Sequence, residues 1–469
     1  MLKRKIALIK VSSQKFEGYS SKKESIENAV YQIQSYPPLG LCYLAAYLNS
    51  KGITDVEIID CIERRYTSGI CAEYIVKNNF DVVGISVDSF FLKEVNTLIG
   101  EIRKRKKEII IVLGGIHIAH YPNAVKVLNA DYGIRGDGEE SLFKLLTNFN
   151  HDIDGLVYLE NGEVKYNQTA KIDNLDILPF PVTLGHKYKF PFYRGGAYSM
   201  IMSRGCPYNC IFCGIPHRGE YRKRAVENVY KEMEFLKQKG YDYIDFKDDC
   251  FTVDRDKVIK LCNLIINGNL KIKWGTSARA DLVDYDLLKL MKQAGCHNLR
   301  FGVESGVIRI RNEIMGKSLS NEAIFNLVRW CRKLRIKTIG YIIFGTPTET
   351  IADMKQTIKF IKKVNPDYMD ALLAMPIPGS RLHKIALEEK KINEDVWTKI
   401  AERDCQIPIY TPEGITLEDM KMLKSKAYKS FYLNPVKIIK EVVDTGDIGD
   451  ILAKFKIARN IFFAKLFRY

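Results

Sequence analysis

No run of eighteen uncharged apolar residues occurs anywhere in the sequence, which argues against a membrane-spanning helix. A secretory start is also missing. Lys3-Arg4-Lys5 gives a basic front, but the apolar run behind it is short and ends without a small-residue cleavage site. That run reads as a first β-strand, and the protein is expected in the cytoplasm. The evenly paired cysteines of a disulfide scaffold are lacking too. Eleven are scattered over 469 residues, an odd count that points to reduced thiols and metal ligands. A net charge of +16 is spread over many helices and is not gathered into an aromatic-interleaved patch, so no nucleic-acid partner is expected. With 46% apolar and 27% charged residues, the chain is an ordinary globular one of two or three domains.

What the sequence does hold is one dense stretch, Ser203-Arg204-Gly205-Cys206-Pro207-Tyr208-Asn209-Cys210-Ile211-Phe212-Cys213. Three and then two residues separate its thiols, so a loop can turn all three sulfurs onto one centre. Clustered thiolates suit an iron–sulfur cluster or zinc. On a cubane cluster three cysteines leave one iron without a protein ligand. The alternative is a structural zinc loop with His217 as a fourth ligand. Most of the other cysteines stand in apolar contexts where a thiol acts as a small hydrophobe.

Ahead of this loop the chain alternates short apolar strands with helices. Strands are expected at 5–11, 56–60, 81–86, 109–115 and from Tyr132, and a helix over 41–50. That pattern is a doubly wound parallel sheet, which binds ligands at its carboxyl ends. Those ends carry small residues: Ser86, Gly114-Gly115 and Gly136-Asp137-Gly138. A hairpin around Asn161-Gly162 and the extended Leu178-Pro179-Phe180-Pro181 mark a linker at 151–194. After the thiol loop, five further strand–helix steps make a (β/α)6 partial barrel over 195–385. Asp248, Asp249, Arg279, Glu304, Ser305 and Glu349 follow its strands, where barrels place their active sites. Glu349 reads as a helix-start carboxylate after Pro347. Residues 386–469 read as a basic helical region, with a helix capped by Thr416 and an amphipathic face along 446–469. That face packs on the barrel or lies peripherally on a membrane, the latter suiting a lipid-like substrate.

Cys206, Cys210 and Cys213, with Phe212 before the third, match the CxxxCxxC signature of the radical S-adenosylmethionine (SAM) superfamily. Asp248-Asp249, Gly302-Val303-Glu304-Ser305-Gly306, Gly345-Thr346-Pro347 and Pro376-Ile377-Pro378-Gly379-Ser380 extend the likeness. Residues 1–150 resemble the cobalamin (B12)-binding, Rossmann-like domain that precedes many such barrels. Pro37-Pro38-Leu39-Gly40, Ser86 and Gly114-Gly115-Ile116-His117 carry that resemblance. One departure is that the stretch Val11 to Phe16 has no histidine to ligate cobalt, and His117 is expected to hydrogen-bond within its own loop.

The resemblance implies a [4Fe–4S] cluster on Cys206, Cys210 and Cys213. It implies SAM held by Phe212, Asp248 or Asp249 (amine), Arg279 (carboxylate), Glu304 (ribose), Ser305, and backbone near Ile342 and Pro376 (adenine). It further implies base-off cobalamin near Pro38, Leu39, Ser86, Gly114, Gly115, His117, Gly136 and Gly138. The expected activity is reductive cleavage of SAM to a 5′-deoxyadenosyl radical, used to methylate an unactivated carbon through methylcobalamin. The alternatives are a radical rearrangement, cyclisation or ring contraction without methyl transfer, and a non-catalytic iron–sulfur redox or sensor protein. The expected partners are a small-molecule, natural-product or peptide substrate and an electron donor such as flavodoxin or ferredoxin.

Overall fold

The computed structural model of the chain describes residues 4–12, 36–184, 188–190, 193–403, 407–434 and 437. The loop residues 13–16, Cys405 and the amphipathic stretch 446–469 lie outside the described residues.

The first sheet has the order β2-β1-β3-β4-β5-β6-β7. Its strands are β1 (Ile6–Lys10), β2 (Val56–Asp60), β3 (Val82–Ser86), β4 (Ile110–Gly114), β5 (Tyr132–Ile134), β6 (Leu156–Glu160) and β7 (Glu163–Tyr166). The first five are parallel, in the flavodoxin-like winding whose order reverses between β1 and β3. Strand β1 shows why it is central. Ile6 and Leu8 pack to one face with α1 (Leu39–Ser50) and α4 (Gly138–Asn148). Ala7 and Ile9 pack to the other with α2 (Ser68–Lys77) and α3 (Leu92–Arg105). A strand covered on both faces has no polar side to show. The linker hairpin does not stand alone: β6 pairs antiparallel with β5 and extends this sheet.

The second sheet has the order β16-β15-β14-β13-β12-β9-β8 and does not close. Its six parallel strands are β9 (Tyr193–Met200), β12 (Tyr243–Phe246), β13 (Lys273–Ala278), β14 (Cys296–Glu304), β15 (Lys337–Phe344) and β16 (Tyr368–Leu373), with β8 (Tyr188–Phe190) antiparallel at the edge. Helices α5 (Val226–Gln238), α6 (Arg255–Asn267), α7 (Tyr285–Gln293), α8 (Asn321–Lys333) and α9 (Ile351–Val364) follow successive strands and pack on their outer face. This is the expected half-barrel.

The C-terminal region is divided between the two units. After α10 (Arg381–Glu388), helix α11 (Val396–Glu402) returns to the first domain, where Trp397, Ile400 and Ala401 join its core. The next helix, α12 (Leu417–Tyr432), is capped by Thr416 and seals the barrel's open edge. Met369 N–H of β16 donates to Tyr432 Oη at 2.9 Å, and Ala371 N–H to Tyr428 Oη at 3.2 Å. Tyrosine hydroxyls thus satisfy an edge strand that would otherwise expose its backbone. Among the described residues no helix is long and apolar enough to cross a membrane.

Candidate active site

The thiol loop begins where β9 ends and is pinned from several sides. The two-residue strands β10 (Ser203–Arg204) and β11 (Arg222–Lys223) pair antiparallel and close its base. Gly205 turns the chain with φ +87°, and a side chain there would collide with the Glu220 carbonyl. Ile211 N–H donates to Met315 O at 3.2 Å, and Ile211 O accepts from Leu382 N–H at 2.9 Å. Phe212 packs in the small apolar cluster around Ile211, Ile310 and Met315.

Burial raises all three loop thiols, Cys206 and Cys213 to about 11, and for those two neighbouring thiols add to the effect. They arrive protonated, and a metal must displace those protons. Among the described residues no three His, Cys, Asp or Glu side chains are already gathered at metal-ligand spacing. The His217 ring lies 3.8 Å from Asp137 and 3.9 Å from Glu220. Three soft donors on a pinned loop, with Arg279 and Lys317 charges near Cys210, fit a cluster better than a hard cation. Cys250, near Cys206, is buried at 3% exposed with its Sγ 4.0 Å from Thr252 Oγ1.

The two aspartates after β12 part company. Asp248 is buried and accepts from Met202 N–H at 3.0 Å and from the Ser203 hydroxyl. Burial pushes it up to about 6. It holds the strand-to-loop junction. Asp249 accepts from Gly205 N–H at 3.0 Å and remains exposed.

Further round the mouth, Arg279 is already engaged. It donates to Asp281 at 3.1 and 2.9 Å and to Lys317 O at 2.6 Å, and stacks 3.8 Å from the Tyr208 ring centroid. Glu304 takes φ +58° at the end of β14 and forms a buried ion pair with Lys317. Gly302 makes room for that pair, since a Cβ there would collide with Glu304 Oε1 and Lys317 Nζ. The sequence did not single out Lys317, whose ammonium pairs with Glu304 and whose carbonyl accepts from Arg279.

Ser305 is fully buried, with its hydroxyl 3.1 Å from Thr357 Oγ1 and accepting from Val307 N–H, so it faces the packing and not the mouth. The Ile342 side chain lies in the outer core, and Pro376 is buried in the segment after β16. Glu349 is not a helix-start carboxylate. It is 1% exposed and accepts from Gly345 N–H (2.8 Å) and Thr346 N–H (3.0 Å), while Thr350 caps α9. Burial pushes Glu349 up to about 7.

On the first domain, Ser86 is exposed at the end of β3, directly beside Gly114 in the register. A Cβ at Gly114 would meet nothing within 4 Å, whereas Gly115 (φ +98°) lies against Val87 O. Pro38 and Leu39 open α1 alongside. Small residues beside the point where the strand order reverses form a ledge that fits a large planar cofactor. His117 is buried 2.8 Å from Ser89 Oγ, as expected of a loop-bonded histidine. Gly136 and Gly138 depart from expectation. A Cβ at Gly136 would strike Ala170 O, and the Asp137 between them is held by Arg204 and Arg222. That loop clamps the two domains together.

The clamp brings the two cofactor regions together. Arg204 Nη1 donates to Asp137 at 2.8 Å and Nη2 to Glu139 at 2.6 Å. The imidazole Nε2 of His120, from the short helix Ile116–His120 behind Gly115, lies 2.9 Å from Gly214 O, next to Cys213. Arg218 ties Cys213 O to Gly379 O.

Comparison with known proteins agrees. A model described as the Radical SAM superfamily matches residues 200–361, and one for the B12 binding domain matches residues 34–146. An uncharacterized methyltransferase from Pyrococcus horikoshii is 32% identical over 424 residues, covering 87% of this chain and 90% of that protein. Among solved structures, the radical SAM methyltransferase TsrM from Kitasatospora setae, with cobalamin and [4Fe–4S] cluster bound, shares the fold with TM-score 0.69 at 20% identity, over 82% of this chain and 75% of its own. The cobalamin-dependent radical SAM enzyme OxsB gives TM-score 0.73 at 17% identity over 98% and 72%.

Proposed function

The chain belongs to the cobalamin-binding branch of the radical SAM superfamily, and from that premise we propose that it methylates an unactivated carbon of a small-molecule substrate. The observation that carries the reading is the docking of the cobalamin ledge onto the thiol loop through His120 and Gly214, 2.9 Å apart. A radical source and a methyl carrier must share one substrate, and this contact sets their supporting loops side by side. When bound, the cluster supplies one electron to the SAM sulfonium and cobalamin supplies a transferable methyl group.

The chain's own residues then have defined tasks. Cys206, Cys210 and Cys213 would hold the cluster through their thiolates. Asp249, exposed at the mouth, takes the methionine amine in place of Asp248. Lys317 and Arg279 present positive charge to the methionine carboxylate. Glu304, fixed by Lys317, takes the ribose hydroxyls, and the backbone near Ile342 and Pro376 takes the adenine. Ser86, Gly114, Gly115, Pro38 and Leu39 line the cobalamin ledge. Flavodoxin or ferredoxin would deliver the electron, in keeping with a cytoplasmic enzyme.

The test is product mass with SAM carrying a trideuterated methyl group. A product heavier by the labelled methyl is expected. An unlabelled rearranged product would favour a radical rearrangement, and no 5′-deoxyadenosine at all would leave only a redox or sensor role.

A further inference from the structure

One imidazole stands where three segments meet. His120 ends the short helix Ile116–His120, which follows the Gly114-Gly115 ledge. Its Nε2 lies 2.9 Å from Gly214 O, one residue past the last loop cysteine. A carbonyl oxygen can only accept, so Nε2 carries the proton and donates. The same ring lies against Gly379, where an added Cβ would come within 2.3 Å of its Cγ and Nδ1.

Gly214 and Gly379 are themselves joined. One guanidinium nitrogen of Arg218 donates both to Cys213 O and to Gly379 O, the latter at 2.9 Å. A Cβ at Gly214 would stand 2.8 Å from Ile377 Cδ1, so the two segments touch. Leu382 N–H, just beyond, donates to Ile211 O at 2.9 Å. The end of the thiol loop and the segment from Pro376 to Ser380 therefore form one packed body. That body carries Cys213 and the backbone assigned above to the adenine, and His120 reaches it from the first domain.

The position of the ring is set from the ledge. A five-residue helix has no stability of its own, so tertiary contacts must hold it. His117 N–H donates to Val87 O at 3.2 Å, and the His117 ring is 2.8 Å from Ser89 Oγ. Ala119 O accepts from Arg135 Nε at 3.2 Å. Val87 O is also the atom against which Gly115 lies. The end of β3, the ledge and the helix are thus one piece. A cofactor resting on Ser86, Gly114 and Gly115 bears on the piece that aims His120.

We propose that His120 is a positioning residue that couples the two cofactor sites. With the cobalamin ledge occupied, its Nε2–H bond holds Gly214, and its ring holds Gly379, in the arrangement that binds SAM. Cobalamin then tightens SAM binding, and SAM tightens cobalamin binding by the same factor. The inference rests on the two-cofactor reading of the chain.

The experiment uses the full chain with its cluster reconstituted anaerobically and no reductant added, so that SAM binds without being cleaved. SAM affinity is measured by equilibrium dialysis, without cobalamin and with saturating hydroxocobalamin. In the unaltered chain cobalamin should tighten SAM binding at least about fivefold. His120→Phe keeps a ring against Gly379 but has no donor for Gly214 O. It should take up iron, cobalamin and SAM and lose the cobalamin effect. His120→Gln offers an amide N–H in place of the imidazole one and should recover most of that effect. The proposal is overturned by an unaltered chain that takes up cobalamin yet binds SAM equally with and without it. It is overturned equally by an intact effect in His120→Phe or by no recovery in His120→Gln. Loss of iron or cobalamin from His120→Phe makes the residue structural and overturns it as well. No cobalamin uptake by the unaltered chain contradicts the two-cofactor reading itself, and the proposal falls with it.

Discussion

Arg204 Nη1 meets Asp137 Oδ1 at 2.8 Å, across the boundary between the cobalamin-side sheet and the thiol loop. Arg204 lies two residues before the first ligand cysteine, so the same bond that docks the domains also sets where the cluster loop starts. Arg204→Ala leaves Asp137 and Glu139 buried with Arg222 as the remaining arginine of the clamp. Loss of one partner in a buried network costs about 3–5 kcal/mol. The expected result is a lower melting temperature together with faster proteolysis between the domains.

The clamp also has a pH signature. Burial alone would raise Asp137, but the Arg204 charge and the Arg222 bond bring it below its ordinary value. A depressed carboxylate stabilises the fold above its unfolded value, and that contribution is lost as pH falls through the folded one. Docking should therefore weaken below about pH 4. Asp137→Asn should lose this acid dependence, checked by melting curves across the acid range.

Glu349 has the opposite sign. Burial raises it to about 7, so the fold favours its protonated form. Its contribution is complete below the ordinary glutamate range and declines as pH rises through 7. Glu349→Gln should remove that decline and stabilise the protein by about 1–3 kcal/mol at pH 8, measured by denaturant titration.

Gly302→Ala tests the SAM pocket without removing any of its charges. The new methyl would push apart the flexible ends of Glu304 and Lys317, which can move at modest cost to the fold. Stability should change by less than about 1.5 kcal/mol. SAM affinity, measured by equilibrium dialysis, should fall at least about tenfold.

Much of this was legible in order along the chain. Alternating buried strands and amphipathic helices dictate the two sheets, and the spacing of Cys206, Cys210 and Cys213 dictates their shared role. Thr416 could be read as a cap because its partner, Asp419, is three residues away. The rest depends on contacts between distant segments. Asp137 and Arg204 are 67 residues apart, so the clamp made by the loop at 136–138 had no local signal. Asp245 and Arg300 are 55 apart, and neither stands after a strand, so their ion pair was invisible. Lys317 follows the short π-helix Arg309–Ile314, which carries no strand or α-helix period to place it at the mouth. The paired aspartates 248 and 249 looked equivalent, and burial alone separates them.

The most direct test of the two-cofactor account compares the full chain with Cys206→Ala after anaerobic reconstitution with iron, sulfide and cobalamin. Iron, bound cobalamin and 5′-deoxyadenosine are measured on the same samples. The account predicts that the unaltered chain binds both cofactors and cleaves SAM, and that Cys206→Ala keeps its cobalamin while losing the cluster and all cleavage. Cleavage persisting in Cys206→Ala, or an unaltered chain that takes up iron but no cobalamin, would contradict it.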